Sequence, residues 1–339
     1  ILPKDPQRMI TMVRPVPPTK LEPLEEDRPP KAVMEKTKAI KMIRWIEGFQ
    51  DESQIYTPDE DGDTLLHNCA MKGEFYATFA VLYRVNREKS KEELVNYINQ
   101  RNLNGQTALY LATAINCWEI VSYLIEQGAD PNCPSMRKQP SGEVQFLTAL
   151  HRAAKKGDIA LSTLKCLLSS PKLNKNEANS DGQTALYCSA KEHGTLNNNK
   201  ERIDCTKTIQ ILLRNGADIC KVDGKTGQTT LHAIVESRDV VLLRTIIGML
   251  PTAILNTVMQ QQSYQGNTCL HLAAQLPSKT QEDQIVLKQI LEILLDYGAD
   301  TSIKNASQKT AKELLRSNGC IEFSDSKLME RMKPSSKKK

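Results

Sequence analysis

The sequence predicts an all-α chain, a solenoid of stacked helix–turn–helix repeats. Three observations predict it. A short motif recurs as GDTLLHNCA (62–70), GQTALYLAT (105–113), LTALHRAA (147–154), GQTALYCSA (182–190), GQTTLHAIV (227–235) and GNTCLHLAA (266–274), with a weaker seventh copy, KTAKELL (309–315). Its threonines fall at 64, 107, 148, 184, 229, 268 and 310, spaced by 36 to 45 residues, the size of one supersecondary unit per repeat. Apolar residues after each threonine follow a helical period. A second helix such as WEIVSYLIEQG (118–128) then places Ile120, Val121, Leu124 and Ile125 on one stripe.

Within each copy the threonine is an N-cap, its side chain accepting a backbone N–H of the first turn. A short apolar helix follows, then the second helix. Gly128, Gly216 and Gly298 close second helices, where a left-handed backbone is easiest for glycine. The mean spacing is about 41 residues against about 33 for the commonest short helical repeat, so the excess is assigned to loops. These are residues 85–99, 133–145, 193–204 and 277–283. The first has a helical alternative, because Leu94, Tyr97 and Ile98 are helically spaced. Long loops carry binding elements and also tolerate insertions.

The flanks differ. Residues 1–32 are rich in proline and charge and are expected to be extended or disordered. Residues 33–56 read as a helical cap or docking segment, with Val33, Met34, Ala39, Ile40, Ile43, Trp45, Ile46 and Phe49 interleaved with lysines. Capping is preferred, because the first repeat of an array needs a cover. The array spans 57–318, and 319–339 form a basic tail, either a nuclear-import signal or a solvated end. The chain starts at Ile1 rather than Met, so targeting signals upstream are not read from it.

Histidine placement bears on chemistry. Of five histidines, His67, His151, His232 and His271 all lie three residues after a repeat threonine, and Tyr110 and Tyr187 fill that slot in two other copies. This is one structural position repeated, not a set of bases or metal ligands; His193 ends a short helix beside a loop. Residues 59–63, DEDGD, resemble the start of a calcium loop, but Thr64 opens a helix where the rest of the loop and its closing glutamate belong. No phosphate-binding glycine loop, HExxH or GxSxG is present, so the chain is expected to be no enzyme and to bind no cofactor or metal. Nine scattered cysteines without a CxxC pair read as reduced, packed thiols of an intracellular protein. A net charge of +5 concentrated at the two ends argues against direct nucleic-acid binding, and no apolar run approaches the roughly 20 residues of a membrane span.

The pattern Thr-x-Leu-His-x-Ala-Ala followed by Gly-Ala-Asp closely resembles the ankyrin repeat over about residues 57–318. It departs from the family pattern in three places. Proline never follows the threonine, Phe146 replaces a turn glycine in the third copy, and the seventh copy lacks the histidine slot. The resemblance implies six repeats plus a degenerate seventh and a protein-binding array. Asp61, Gly62, Asp63, Thr64, Leu66 and His67, then Asn102, Gln106, Thr107, Leu109, Gly128, Ala129, Asp130 and Pro131 are similar to the opening of the inhibitor-of-κB (IκB) family. Tyr110 in the histidine slot is closest to the nuclear, atypical members. No Asp-Ser-Gly-x-x-Ser signal or acidic C-terminal tract is present in this span.

That resemblance implies a regulator of signalling and transcription in the cytoplasm or nucleus. Its partner would be a Rel/NF-κB-type dimer whose basic segment the early repeats hold. The alternative is a scaffold joining a signalling adaptor or protease complex without a Rel partner. Neither reading involves a small-molecule substrate or a membrane. Asp59, Glu60, Asp61 and Asp63 cluster negative charge on one turn tip, which would steer a Lys/Arg-rich peptide; the competing reading is a solvated turn with Asp and Gly present for geometry. Repeat geometry places Leu103, Asn104, Gln106, Ala114, Ile115, Lys155, Lys156, Lys191, Glu192, Tyr264 and Gln265 on the concave, partner-facing side.

Overall fold

A computed structural model of the chain describes residues 31–51, 53–138, 144–197, 199–318 and 327–332, with side chains from Lys36 onward. It falls into two compact units: residues up to Ala154 with Ile159–Asn179, and Lys155–Asp158 with Ser180 onward.

The first unit opens with helix α1 (Lys31–Glu47) and a single turn, α2 (Ser53–Tyr56). Repeat one follows as α3 (Leu65–Lys72), α4 (Phe75–Glu88) and α5 (Lys91–Ile98), and repeat two as α6 (Ala108–Ile115) and α7 (Trp118–Glu126). Helix α1 packs on α4 through Ala39, Ile43 and Ile46, one buried face at helical spacing. Arg84 of α4 is buried with it; its guanidinium donates to the carbonyls of Ile46 and Phe49 and pairs with Glu88 at 2.8 Å. Helix α1 starts two residues earlier than the sequence suggests, at Lys31. Residues 1–30 of the expected arm lie outside the described part.

Two of the expected loops are ordered elements instead. Residues 85–99 are the end of α4 and the separate helix α5. Ser90 breaks the two and caps α5, its hydroxyl accepting from the Glu93 N–H while the Glu93 carboxylate accepts from the Ser90 N–H. Tyr97 of α5 is buried and donates its hydroxyl to the Ile55 carbonyl at 2.9 Å. The 133–145 stretch contributes to an antiparallel hairpin, β1 (Ser135–Lys138) with β2 (Val144–Leu147), in register Met136 to Phe146. Phe146 thus stands where a turn glycine was expected because the tip is widened into a hairpin. Helix α8 (Ala149–Lys156), a 3-10 turn (Gly157–Ala160) and α9 (Leu161–Leu168) follow.

The second unit runs α10 (Ala185–Glu192), α11 (Thr206–Arg214), α12 (Thr230–Glu236), α13 (Val240–Met249), α14 (Thr252–Gln260), α15 (Cys269–Gln275), α16 (Gln281–Asp296), α17 (Ala311–Ser317) and α18 (Lys327–Arg331). The 193–204 insertion folds back as a small hairpin closed by a Leu196–Arg202 bridge. It is anchored where the Asp158 N–H meets the Asp204 carbonyl at 2.7 Å. A Cβ on Gly157 would stand 2.3 Å from that carbonyl, and its φ of +68° is left-handed, so only glycine fits there. Helix α14 was not anticipated; Leu255, Val258 and Met259 are its buried face. The basic tail is not wholly solvated: Leu328, Met329 and Met332 are buried, and Lys312 donates to the Met329 carbonyl. Residues 319–326 and 333–339 of that tail lie outside the described part.

Candidate protein interface

The interface is built from the repeat's own cap. In His67, His232 and His271 the ring Nδ1 accepts the N–H of the preceding threonine at 3.1–3.3 Å and lies 2.7–2.8 Å from its hydroxyl. Nδ1 is therefore the lone-pair nitrogen and Nε2 carries the proton. That N–H reaches the next repeat: His67 donates to the carbonyls of Gln100 and Gln106, His232 to Asn267 and His271 to Lys309, at 3.0–3.2 Å. Burial lowers all three from the usual imidazole range, opposed at His67 by the carboxylate of Asp63. His151 makes the same contact with Thr148. His67, His232 and His271 clamp one repeat to its neighbour, and all four rings are buried to within 1% of full enclosure.

The other copies solve the same problem differently. Tyr187 is capped through the Thr184 hydroxyl, and its phenol donates to Gln228 at 3.1 Å. In the seventh copy Glu313 occupies the slot and its carboxylate accepts the Thr310 N–H at 2.7 Å. That copy keeps the capping logic with a different side chain.

A second recurring element, missed in the sequence, builds the tips that precede three of the threonines, Thr64, Thr107 and Thr310. Asp59 Oδ1 accepts the N–H groups of Asp61 and Asp63; Asn102 Oδ1 accepts those of Asn104 and Gln106; Asn305 Oδ1 accepts those of Ser307 and Lys309. Each acceptor stands five residues before its threonine. That common offset is the signal that would have found these Asx turns. Successive tips are laced by backbone bonds: Leu103 N–H to Asp61 and Met136 N–H to Asn104 in the first unit, and Gly224 to Asp181, Tyr264 to Thr226 and Ala306 to Gln265 in the second.

These bonds sort the acidic cluster. Asp59 is a turn-forming carboxylate, held below its ordinary range by the Asn68 amide and the Asp63 N–H. Asp63 accepts from the Asn102 amide at 2.8 Å. Of the four, Glu60 and Asp61 present exposed carboxylates that make no side-chain bond to the described residues. The remaining expected residues sort likewise. Leu103 and Tyr264 are 71% and 66% exposed at tip apices; Asn104 and Gln265 are exposed beside them, and Ile115 is exposed at the end of α6 with Ala114 half-buried. Gln106 is bound into its own tip through Asn102, and its amide donates to the Met136 carbonyl of the hairpin. Lys155 pairs with Glu192 at 3.3 Å and Lys191 with Glu236 at 2.8 Å, so three expected contact residues are occupied by neighbouring repeats. Lys156 is half-buried on α8.

His193, the histidine outside the pattern, is fixed too: its Nδ1 accepts the Cys205 N–H and its Nε2 meets Asp239 at 3.1 Å. Among the described residues no cluster of metal-ligating side chains occurs, and no helix is long and apolar enough to cross a membrane. The eight described cysteines are free thiols. Burial pushes Cys69 and Cys188 up to about 12 and Cys166 to about 11, away from nucleophilic reactivity.

Comparison with known proteins agrees with the repeat geometry. A family model for ankyrin repeats (3 copies) matches residues 32–135, and one for a single ankyrin repeat matches 265–306. The crystal structure of the Bcl-3 ankyrin repeat domain, described as a member of the IkappaB protein family, superposes with a TM-score of 0.55 at 26% identity, over 75% of this chain and 95% of that one. Human NF-kappa-B inhibitor zeta is 28% identical over 287 residues (78% of this chain, 36% of that protein), and mouse NF-kappa-B inhibitor delta is 28% identical over 275 (78% and 76%). The chain is an IκB-like ankyrin-repeat protein. The IκB-like chain is also 33% identical over 244 residues to the ankyrin repeat-containing protein nipk-1 of Caenorhabditis elegans, covering 71% of the chain and 38% of nipk-1. It thus spans less than two-fifths of nipk-1 and of NF-kappa-B inhibitor zeta.

Proposed function

We propose that this chain is a non-catalytic regulator of NF-κB-type signalling and transcription, acting in the cytoplasm or nucleus by binding a Rel/NF-κB-like dimer. The similarity to IκB proteins over 78% of the chain carries the reading. The first tip supplies the local chemistry. Glu60 and Asp61 are unpaired carboxylates beside the apolar Leu103, a combination that suits a basic segment with an apolar residue near it. Tyr264 is an aromatic anchor of the kind that dominates interface energy.

The test is calorimetry of the chain with a Rel-homology dimer that retains its basic segment, at two salt concentrations. Submicromolar binding that weakens with salt and with E60K/D61K supports the reading. Asp59 is left intact in that variant because its carboxylate builds the turn. No binding by a folded chain refutes a Rel partner of the type tested. It favours a scaffold for another signalling complex.

A further inference from the structure

A groove of about 520 Å³ lies in the first unit, away from the tips. One wall is α1, with Lys38, Lys41 and Met42; the other is the start of α4 (Glu74, Phe75, Tyr76) with Cys117 and Glu119 from the start of α7. Its lining is mainly apolar along Met42, Phe75, Tyr76 and Ala77. The ammonium groups of Lys38 and Lys41 are exposed and make no ion pair among the described residues. Trp45, one turn on from Lys41 and Met42, extends the apolar surface of this face of α1 and is 39% exposed.

We propose that this groove is occupied by the chain's own residues 21–27, Leu-Glu-Pro-Leu-Glu-Glu-Asp, making it a self-covered docking site that an acidic, leucine-bearing segment of another protein has to win by competition. The segment has the complementary chemistry: two leucines for the apolar floor and four carboxylates for the lysine wall. Glu74 and Glu119 would repel those carboxylates, so the acidic side must lie along α1. The reach suffices. From Lys31, where α1 begins, to Met42 is about 17 Å along the helix axis, while the seven residues from Leu24 to Lys31 span up to about 23 Å extended. Tethering this close gives the segment an effective concentration in the millimolar range, above that of a free competitor at ordinary concentrations.

Cys117 is a built-in reporter, since it is half-buried in the groove lining, and the half-buried Cys133 lies outside that lining and serves as reference. The experiment is timed iodoacetamide labelling of the full chain, read peptide by peptide by mass spectrometry. Leu21→Ser with Leu24→Ser, and separately Lys38→Glu with Lys41→Glu, should each raise Cys117 labelling severalfold relative to Cys133. Adding Glu25→Lys and Glu26→Lys to the lysine variant should return it towards the original rate. A Cys117 to Cys133 ratio unchanged by the leucine variant overturns the proposal and leaves the groove open to a separate protein. Failure of the charge swap to restore slow labelling overturns it as well.

Discussion

Replacing His232 by alanine tests the clamp that defines the array. The ring is fully buried; it accepts the Thr229 N–H at 3.1 Å and donates to the Asn267 carbonyl at 3.0 Å. Alanine removes the ring and leaves both backbone groups without that partner in residues at most 2% exposed. An orphaned buried polar group costs roughly 1–3 kcal/mol, and the cavity adds to it, so His232→Ala should destabilise by about 3–5 kcal/mol. His232→Tyr should cost clearly less, because tyrosine fills the slot at 110 and 187 with the threonine hydroxyl taking over the cap. Urea unfolding gives the free energies. Repeat arrays need not unfold in one step, so hydrogen exchange at amides of α12 and α15 should accompany it. A loss under about 0.5 kcal/mol for His232→Ala, well below the cost of one orphaned group, would show that the ring does not hold the two repeats together.

The remaining predictions follow from the same contacts. His67, His232 and His271 are buried neutral, so the unfolded chain binds their protons first: stability should hold above about pH 6.5 and fall below it, and replacing all three by tyrosine should flatten that slope between pH 7.5 and 5.5. Gly157→Ala meets both left-handed strain, about 1–2 kcal/mol, and the Asp204 carbonyl, whereas Gly216→Ala meets only the strain since nothing lies within 4 Å; unfolding curves should rank Gly157→Ala as the worse. Lys191→Glu should lose about 0.2–1 kcal/mol through its pair with Glu236, and adding Glu236→Lys should restore it in a double-mutant cycle.

The threonine–histidine pattern was legible because each residue does a local job at a fixed offset. Thr64 and His67 bond each other, and any copy shows the relation. Helix α1 was legible because Ala39, Ile43 and Ile46 share one face. The hairpin at 135–147 was not, since two four-residue strands are too short for a period-two signal and their pairing is not local. Helix α14 hid within a copy whose template already had two helices, although Leu255, Val258 and Met259 carried the spacing. At the candidate interface the internal tasks of charged residues are not legible in the sequence. Asp59 looks like solvent-facing charge and is an Asx turn, and Lys155, Lys191 and Glu192 look free and are paired across 37 to 45 residues of sequence.

That internal pairing bears on where a partner can gain energy. A carboxylate or ammonium already paired with the next repeat must break that pair before it serves a ligand, and an exposed pair is worth at most about 1 kcal/mol. Such positions tune repeat stacking more than they discriminate partners. Among the described residues, the expected contacts with side chains free of internal bonds include the tip residues Glu60, Asp61 and Leu103 in the first unit and Tyr264 in the second. Their backbones are fixed by the Asx turns and the tip-to-tip bonds, so little order is lost when they are used. Preorganised backbone with uncommitted side chains is the condition for tight recognition, and among the expected contact residues the tips meet it while the inner-helix ends Lys155, Lys191 and Glu192 do not.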